Sequence, residues 1–553
     1  MSTSVQPWAS THASGLRLGW LGRIHHLLVH HLWLLIFPLA IPALLPFYTE
    51  GLPRSFDGGL HLFRISLLDR YIRQGFLFPR WAPELLLGHG YPLFNFYAPA
   101  SYYLVEFFHL LGLDLYPAFI VTFALFVLAG GIGMYVLAQE IFGRANQGAA
   151  LVAAVAYIYG PYLLTNVYIR GAIAEAGAQA ILPWLFLTVR RLLYAKQPAR
   201  HVLPVVLCLG GLALMHNITL LFTPPVLLGF IALHWWRGGH RGASLLWVTV
   251  ALIASMGVSL FFWLPVMVER VYLAETSLEM MKNVWLPGNV WKWENFLDRG
   301  LTYTHTFARP LRLGLVQLLL GAGGFVLALR RDGEWLYFGL VALLTGVMMS
   351  AWSLPIWLSS DILSSAQFTW RLLSILSLPL ALFAGGLVYR LRPGWLHTLA
   401  TVALIGLIIW AQSPRLQWMD VFDAQTVDLS LPVFLQAEVD KDIIEGGTAS
   451  SSIQEFRPRW AAETLTLDPP PPEPATATWE VTKANTFGLE ATVSSPTATF
   501  LRLNQYYFPG WRVVLDGRQE LKPYPSTNLG LLTADLPAGT HTVQVAWVGT
   551  AIQ

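Results

Sequence analysis

Asp57 and His61 stand one helical turn apart in the stretch SFDGGLHLFRISLLDRYIRQG, residues 55 to 75. A helix that begins near Asp57 would place both side chains on one face at its N-terminus. The helix dipole there favours an anion, either a bound phosphate or the ionised carboxylate itself. The alternative is that Asp57 only caps the helix and that His61 lies at a membrane interface. The spacing leaves both interpretations open.

The element that must position these two residues is an amphipathic helix, predicted to lie on the membrane surface. Apolar residues recur at helical spacing, and charged residues cluster apart from them. The apolar set is Leu60, Phe63, Leu67, Leu68 and Tyr71, and the charged set is Arg64, Asp69, Arg70 and Arg73.

The composition indicates a polytopic α-helical membrane protein. Of the 553 residues, 55% are hydrophobic and only 12% are charged, and the mean hydropathy is +0.52. In soluble globular proteins about a quarter of the residues are charged. The single cysteine, Cys208, excludes an intramolecular disulfide. The first apolar run begins at His31 and has no small-residue cleavage site, so we expect a retained anchor rather than a signal peptide.

Apolar runs of roughly 20 residues, the length that crosses a bilayer core of about 30 Å, predict about eleven spans. Residues 201–236 are interpreted as two short helices, interrupted by MHN. His216 and Asn217 of that motif would cap this hairpin or, alternatively, contact a ligand. The spans are 31–47, 116–140, 147–164, 178–195, two in 201–236, 244–267, 312–330, 334–352, 371–391 and 395–411.

The distribution of basic residues predicts the orientation of the chain in the membrane. By the positive-inside rule, the loops that carry them face the cytoplasm. The N-terminal tail, residues 1–30, is then cytoplasmic, whereas the loops near 48–115 and 268–311 and the chain after 411 are outside. The basic residues are Arg17, Arg23, Arg144, Arg190, Arg191, Lys196, Arg237, Arg241, Arg330, Arg331, Arg390 and Arg392.

The first external loop would fold over a cavity in the bundle. Its irregular backbone, rich in glycine and proline, must be satisfied by protein or water rather than lipid. We expect Tyr91, Phe94 and Tyr97 to line this cavity, as a wall suited to a sugar ring or a polyprenyl chain. An aromatic belt at the headgroup level is the alternative for some of them.

The chain divides into a membrane domain, residues 31–411, a linker region, 412–475, and a C-terminal domain, 476–553. The linker contains the stiff proline run DPPPPEP. In the C-terminal domain TFLRLNQYYF, WRVVLDGRQ, LGLLTADL and THTVQVAWV alternate as strands do and predict an extracytoplasmic antiparallel β-sandwich. The domain would bind glycan or serve as a lid or spacer.

Several motifs resemble a bacterial family of large integral membrane proteins labelled "6-pyruvoyl-tetrahydropterin synthase related", which is similar to YfhO-type proteins. This family in turn resembles the GT-C glycosyltransferases, which have many spans, an acidic residue in a long first external loop, and a polyprenyl-phosphate sugar donor. The resemblance runs from about residue 40 to the end of the sequence. The motifs are DGGLHLFRISLLDR, PRWAP, GHGYPLFNFYAP, YIRGAIAEAGA, QFTWRLL, EFRPRW and YYFPGWRVVLDG.

The resemblance implies a GT-C-like fold and a membrane glycosyltransferase, with a polyprenyl-phosphate sugar as donor and a glycan or protein as extracytoplasmic acceptor. Asp57 would be the base that takes the acceptor's proton, assisted by His61. Arg170 and Arg371 would hold the departing phosphate, since guanidinium groups pair bidentately with phosphate oxygens. The supporting residues would be Glu175, His216, Asn217 and Arg64.

Simpler structural roles exist for both arginines, since Arg170 would also pair with Glu175, and Arg371 with Asp361. No cofactor is certain; a divalent metal at Asp57 would need further oxygen ligands, such as Glu84 or Glu175. In the second external loop, Trp285, Trp291 and Trp293 are predicted to anchor the loop at the membrane interface rather than to stack on sugars.

Two other classes of function remain as alternatives: a transporter or flippase of lipid-linked sugars, and a non-catalytic cell-envelope assembly protein. We expect contact with membrane lipids and none with nucleic acid. No Walker motif, zinc pattern, nucleophile elbow or dinucleotide fingerprint occurs at credible spacing.

Overall fold

The computed structural model describes residues 31–48, 52–237, 241–296, 311–328, 333–418, 420–422, 455–461 and 477–553. The predicted N-terminal tail and the proline run of the linker lie outside these residues.

Each predicted span coincides with one of eleven helices in the described part of the chain. All but α4 are apolar stretches by length and composition, and seven of these ten reach 18 or more residues when the short helical turns that adjoin them are counted. Short 3₁₀ or π turns extend several helices at their ends. The eleven are α1 (Ile36–Leu44), α2 (Leu115–Phe142), α3 (Gln147–Ile158), α4 (Ile173–Tyr194), α5 (Val202–Met215), α6 (Asn217–Arg237), α7 (Arg241–Glu269), α8 (Leu315–Ala328), α9 (Gly333–Met349), α10 (Leu373–Tyr389) and α11 (Trp395–Gln412).

The centre of the bundle is formed by α3 and α10, which pack against each other and are buried along nearly their whole length. Helices α2, α4 and α8 surround this pair. By contrast, α7 and α11 expose many large apolar side chains. A hydrophobic exterior of this kind is what lipid, and not water, would cover.

Charged side chains gather at the two ends of the bundle. At one end Arg190 Nη1 lies 3.3 Å from Glu140 Oε2, and its Nε lies 3.2 Å from Glu334 Oε1. Glu175, at the other end of the same helix α4, belongs to a second charged cluster. The predicted basic loops accompany the first cluster, and the first long loop accompanies the second.

Short helices and turns make up the rest of the helical structure. The most important is Gly58–Arg73, which we call the loop helix. The others are Leu93–Phe96, Ala100–Leu110, Pro161–Leu164, Glu275–Met280, Leu286–Gly288, Trp293–Phe296, Leu354–Leu358 and Asp361–Ser364.

The loop helix forms as its apolar spacing predicts, but protein encloses most of it. It packs against Ala100–Leu110 and α2, and Tyr71 contacts Phe94 and Phe487. Its charged face includes the buried residue Arg64. The expectation that this helix lies on the membrane surface is therefore wrong, because the first loop and the C-terminal domain cover it.

The C-terminal domain is the predicted β-sandwich. Its strands form a five-stranded sheet in the order β3-β4-β10-β6-β7 and a three-stranded sheet in the order β5-β9-β8, and all pairs are antiparallel. Strands β1 (Leu52–Arg54) and β2 (Asp420–Phe422) pair separately. The sandwich strands are β3 (Thr478–Asn485), β4 (Gly488–Ser495), β5 (Thr499–Tyr506), β6 (Trp511–Leu515), β7 (Gln519–Leu521), β8 (Tyr524–Ser526), β9 (Leu531–Leu536) and β10 (Gly539–Trp547).

The sandwich docks onto the first loop through polar and aromatic contacts. Gln505 Nε2 donates to the Gly88 carbonyl at 2.6 Å, and Trp81 Nε1 donates to Gln505 Oε1 at 3.0 Å. Trp81 also stacks on Trp547, with ring centroids 5.1 Å apart. The first loop is thus held between the bundle and the sandwich.

Candidate functional site

Asp57 precedes the first residue of the loop helix, yet its carboxylate makes no capping hydrogen bond. Ser55 Oγ takes that place and accepts from the Gly58 N–H at 3.1 Å. The interpretation of Asp57 as a helix cap alone does not describe this site. The carboxylate remains available for another partner.

A close crossing of two backbones brings Asp57 beside Arg170. The Asp57 N–H donates to the Arg170 carbonyl at 2.7 Å. Gly171 has φ +66°, and a Cβ on it would lie 2.7 Å from the Gly58 nitrogen. Only glycine fits both the backbone conformation and the space. Asp57 Oδ2 consequently lies 4.0 Å from Arg170 Nη2.

Arg170 ends a π-helical segment, Thr165–Arg170, and is held on several sides. Its Nη1 lies 2.5 Å from Glu175 Oε2 and 2.6 Å from Asn166 Oδ1. Glu175 is buried and also accepts a hydrogen bond from Tyr162. The alternative pairing of Arg170 with Glu175 is confirmed, and the other terminal nitrogen of Arg170 faces Asp57.

Arg371 differs from Arg170, because no ion pair to it occurs among the residues that the structure describes. Its guanidinium lies over the Phe368 ring, 5.0 Å from the centroid, and Nη1 donates to the Ala366 carbonyl at 3.3 Å. Its Nε is buried without a hydrogen-bond partner. The expected alternative pairing with Asp361 is wrong, because Asp361 binds Lys282 at 2.5 Å.

The predicted charged residues gather around Asp57, in a cluster that we call the pocket. Asp57 lies within electrostatic range of Arg170, Arg371, Arg64 and Glu175. Arg170 lies within ion-pair distance of Glu175, whereas Arg371 has no carboxylate within that distance among the described residues. The Arg371 guanidinium therefore suits an anion.

Asp57 combines accessibility with an enclosed environment. Its side chain keeps 40% of its surface accessible, against 10% for Arg170. Burial nevertheless raises the pKa of Asp57, and the nearby arginines only partly oppose this rise. A carboxylate with a raised pKa accepts a proton more readily than an exposed aspartate does.

His61 and His216, the two predicted site histidines, are neutral at physiological pH. Burial, together with Arg64, lowers the pKa of His61 well below its ordinary value. Burial likewise lowers the pKa of His216 to about 4. His61 Nδ1 lies 2.8 Å from the Tyr102 hydroxyl, and His216 Nδ1 accepts from the Thr219 N–H at 3.2 Å. His216 therefore caps α6, which was one of its two predicted roles.

Asn217 and Arg64 support the walls of the pocket. Asn217 Nδ2 donates to the Phe96 carbonyl at 3.1 Å and so ties α6 to the first loop. Arg64 has 2% of its side-chain surface exposed and lies over the Tyr97 ring, 5.4 Å from the centroid.

Of the three predicted lining aromatics, only Tyr97 keeps part of its surface open. Tyr91 is fully buried, and its hydroxyl accepts from the Phe456 N–H at 2.7 Å. Phe94 is buried against Tyr71. Tyr91 and Phe94 thus pack within the first loop, and Tyr97 faces the charged cluster.

Two of the tryptophans predicted to anchor the loop near residues 268–311 make contacts within the protein. Trp285 stacks on Phe368, with centroids 4.9 Å apart, and Trp291 is buried against Phe296. The side chain of Trp293 lies outside the described residues. Trp285 therefore supports the segment that carries Arg371.

The sequence model of a family described as "6-pyruvoyl-tetrahydropterin synthase related domain; membrane protein" matches residues 94–419, which is more than half of the chain. The chain belongs to this family. The predicted resemblance is confirmed. The matched range of this 6-pyruvoyl-tetrahydropterin synthase related protein contains Arg170, Glu175, His216, Asn217 and Arg371, whereas the loop helix precedes it.

Further similarities cover parts of larger proteins. An uncharacterized protein of Lactococcus lactis subsp. cremoris (strain MG1363) is 20% identical over 240 residues, which are 42% of this chain and 39% of that protein. The arabinofuranosyltransferase AftD from Mycobacteria is 16% identical with a TM-score of 0.46, over 74% of this chain and 29% of that one. The oligosaccharyltransferase AglB from Archaeoglobus fulgidus was solved with an inhibitory peptide and a dolichol-phosphate. It is 13% identical with a TM-score of 0.42, over 73% of this chain and 57% of that one.

The side chains around Asp57 in this family member do not supply the ligands that a divalent cation needs. Hard cations take several oxygen ligands, mostly carboxylates. Glu175 is occupied by Arg170 and Tyr162, and Glu84 pairs with Arg70 at 3.1 Å. Within the described ranges, no three His, Cys, Asp or Glu side chains are grouped closely enough to hold a metal. The guanidinium groups around Asp57 would repel such an ion.

Sequence reasoning missed two residues that hold Arg170 in place, Tyr162 and Asn166. Both precede Arg170 by multiples of four residues. Polar side chains at this spacing share one helical face, and an intramembrane polar face is a signal that was present in the sequence.

Proposed function

We propose that this chain is a membrane glycosyltransferase that transfers a sugar from a polyprenyl-phosphate donor to a glycan or protein acceptor. One observation carries the proposal: the Asp57 carboxylate makes no capping bond, keeps 40% of its side-chain surface accessible, and lies 4.0 Å from Arg170 and within electrostatic range of Arg371 and Arg64. A proton acceptor beside an anion site is what such a transfer requires.

Asp57 is the general base in this proposal. It takes the proton from the acceptor's nucleophilic group while that group forms a bond to the anomeric carbon of the sugar. The bond between this carbon and the phosphate oxygen breaks, and its electron pair leaves with the polyprenyl phosphate. The sugar changes its anomeric configuration because the attack comes from the face opposite the leaving group.

The departing phosphate is held by Arg371 and by the free side of Arg170. Arg371 contributes more, because no carboxylate among the described residues lies within ion-pair distance of it, whereas Arg170 makes a close ion pair with Glu175. Glu175 and Asn166 fix the Arg170 guanidinium so that Nη2 points toward Asp57. The donor phosphate would bind between the two arginines.

The reaction would take place at the extracytoplasmic face of the bacterial cytoplasmic membrane. The pocket lies at the end of the bundle opposite the charged cluster of Arg190, Glu140 and Glu334, which accompanies the basic loops. Basic loops favour the cytoplasm, so the pocket, the first loop and the β-sandwich would be outside.

The test is a transfer assay with a labelled polyprenyl-phosphate sugar and the protein reconstituted in vesicles. Asp57→Asn should lower the transfer rate by about 10²- to 10⁴-fold, the usual contribution of general base catalysis, with donor binding nearly unchanged. Asp69→Asn is the matched control: Asp69 lies on the same helix but binds Arg73 at 2.5 Å. Its rate should stay close to that of the parent.

Equal losses in the two variants, or a destabilised Asp57→Asn protein, would contradict the role of Asp57. Movement of the labelled donor across the vesicle membrane without transfer would instead support a flippase. The parent rate should also fall in acid, since a protonated Asp57 accepts no proton. The raised pKa of Asp57 places this fall at a higher pH than for an exposed aspartate. The residual rate of the Asp57→Asn variant should not show this fall in acid.

A further inference from the structure

The motif EFRPRW contributes a short segment, residues 455–461, that we call the strap. Phe456 stacks on Phe96, with centroids 5.5 Å apart, and its N–H donates to the Tyr91 hydroxyl. The strap therefore packs on the first loop, although more than 350 residues separate the two in sequence.

Two other parts of the molecule also hold the strap. The Ala274 N–H donates to the Arg457 carbonyl, and the Arg459 N–H donates to the Tyr272 carbonyl, each at 2.8 Å. On the other side, Trp460 packs edge-on against Tyr507 of the C-terminal domain, with centroids 4.8 Å apart. The strap is thus fixed by the first loop, the end of α7 and the sandwich.

The first residue of the strap reaches the charged pocket. Glu455 Oε1 lies 3.7 Å from Arg64 Nη2, and the Arg64 side chain is almost fully buried. Arg64 follows Asp57 by seven residues along the loop helix, about two turns, so the two side chains lie on one face of it. The positive charge of Arg64 therefore acts on the Asp57 carboxylate, and Glu455 pairs with Arg64.

We infer that Glu455 is a positioning residue of this site, which offsets part of the Arg64 charge and so keeps Asp57 basic enough to accept a proton. This inference rests on the proposed role of Asp57. Without the Glu455 anion, the guanidinium groups would stabilise the ionised carboxylate more strongly, and Asp57 would become a weaker base. The charged and titratable groups around Asp57 are Arg170, Arg371, Arg64, Glu175 and Tyr97.

The experiment measures the protonation of Asp57 directly. A hydrophobic carbodiimide such as dicyclohexylcarbodiimide reacts with protonated carboxyl groups, and peptide mass spectrometry reports the labelling of Asp57 at each pH. Glu455→Gln should move the labelling midpoint to lower pH by about half a unit. Arg64→Gln should move it to higher pH, since it removes the cation and leaves the anion.

Glu455→Asp keeps the charge and should restore the parent midpoint. Glu520→Gln is the remote control, because Glu520 pairs with Arg512 on the sandwich surface; its midpoint should equal that of the parent. An unchanged midpoint in Glu455→Gln, or a shift in the same direction as in Arg64→Gln, would overturn the inference.

Arg64→Gln is the second arm of the test if Glu455→Gln fails to fold: a midpoint at or below the parent value would also overturn the inference. Labelling is measured without substrate, so its outcome bears on Glu455 alone. Absence of sugar transfer by the parent protein would count against the proposed function and would leave the labelling result intact.

Discussion

At the residue scale, the two arginines of the pocket differ in what they already bind. Arg170 makes a close ion pair with the buried carboxylate of Glu175. Arg371 has aromatic rings and a backbone carbonyl as its neighbours, and its Nε has no partner. An arginine in such surroundings is costly without an anion, which supports a ligand-binding role for Arg371 in particular.

This difference predicts that alanine at Arg170 mainly lowers stability, whereas alanine at Arg371 mainly weakens ligand binding. Arg170→Ala should lower the free energy of unfolding by about 3–5 kcal/mol, because Glu175 would remain buried and unpaired. Arg371→Ala should affect unfolding much less but weaken the binding of polyprenyl phosphate. Thermal unfolding in detergent and a binding assay on the same samples separate the two effects.

Arg371→Lys should also weaken binding, by roughly tenfold, because the charge remains but the bidentate fork is lost. Arg512→Lys, on the exposed surface of the sandwich, is the matched control. Unchanged polyprenyl-phosphate binding in Arg371→Lys would remove this arginine from the proposed phosphate site.

At the element scale, the site depends on where the loop helix crosses the turn after the π-helical segment. Gly58 and Gly171 allow the two backbones to approach, and the Asp57 N–H donates to the Arg170 carbonyl across this crossing. Main-chain contacts therefore fix how closely the backbone of the proposed base approaches that of Arg170, which is proposed to bind phosphate.

Gly171→Ala should separate these elements. Its Cβ would lie 2.6 Å from Ser55 Oγ and 2.8 Å from the Gly58 Cα, at a φ of +66° that disfavours alanine. We expect a loss of about 1–3 kcal/mol in stability and a clear loss of transfer activity. Gly59→Ala is the control, since no atom lies within 4 Å of its Cβ position. Equal activity in both variants would contradict the importance of the crossing.

At the scale of the whole molecule, the first loop, the strap and the sandwich assemble at one end of the bundle. Trp81 and Gln505 join the loop to the sandwich, and Phe456 joins the loop to the strap. The pocket beside Asp57 is consequently built from parts that are distant in sequence, and all of them must lie on the same side of the membrane.

Reporter fusions test this arrangement. Fusions after Arg144, Arg241 and Arg392 should report the cytoplasm, because basic loops favour that side. A fusion at Gln553 should report the exterior, since the sandwich contacts the first loop. A cytoplasmic signal at Gln553 would contradict the proposed orientation and the odd number of spans.

The sequence by itself determined the membrane class, the ten apolar helices found among the described residues and the alternating strands of the sandwich. These features follow from local patterns of hydropathy, which are set by whether each face meets lipid, protein or water. It also determined the chemical types of the residues in the pocket, since charges within apolar surroundings stand out by composition alone. Asp57, Arg170 and Arg371 were recognisable in this way.

Only the tertiary structure decided which of these residues are already paired and which are open. In the structure Ser55 rather than Asp57 caps the loop helix, Glu175 pairs with Arg170, and Asp361 pairs with Lys282. The structure also brought Glu455 to Arg64. Such pairs depend on the relative placement of elements that are far apart along the chain. Local propensity carries no information about that placement, because it is fixed by packing between elements.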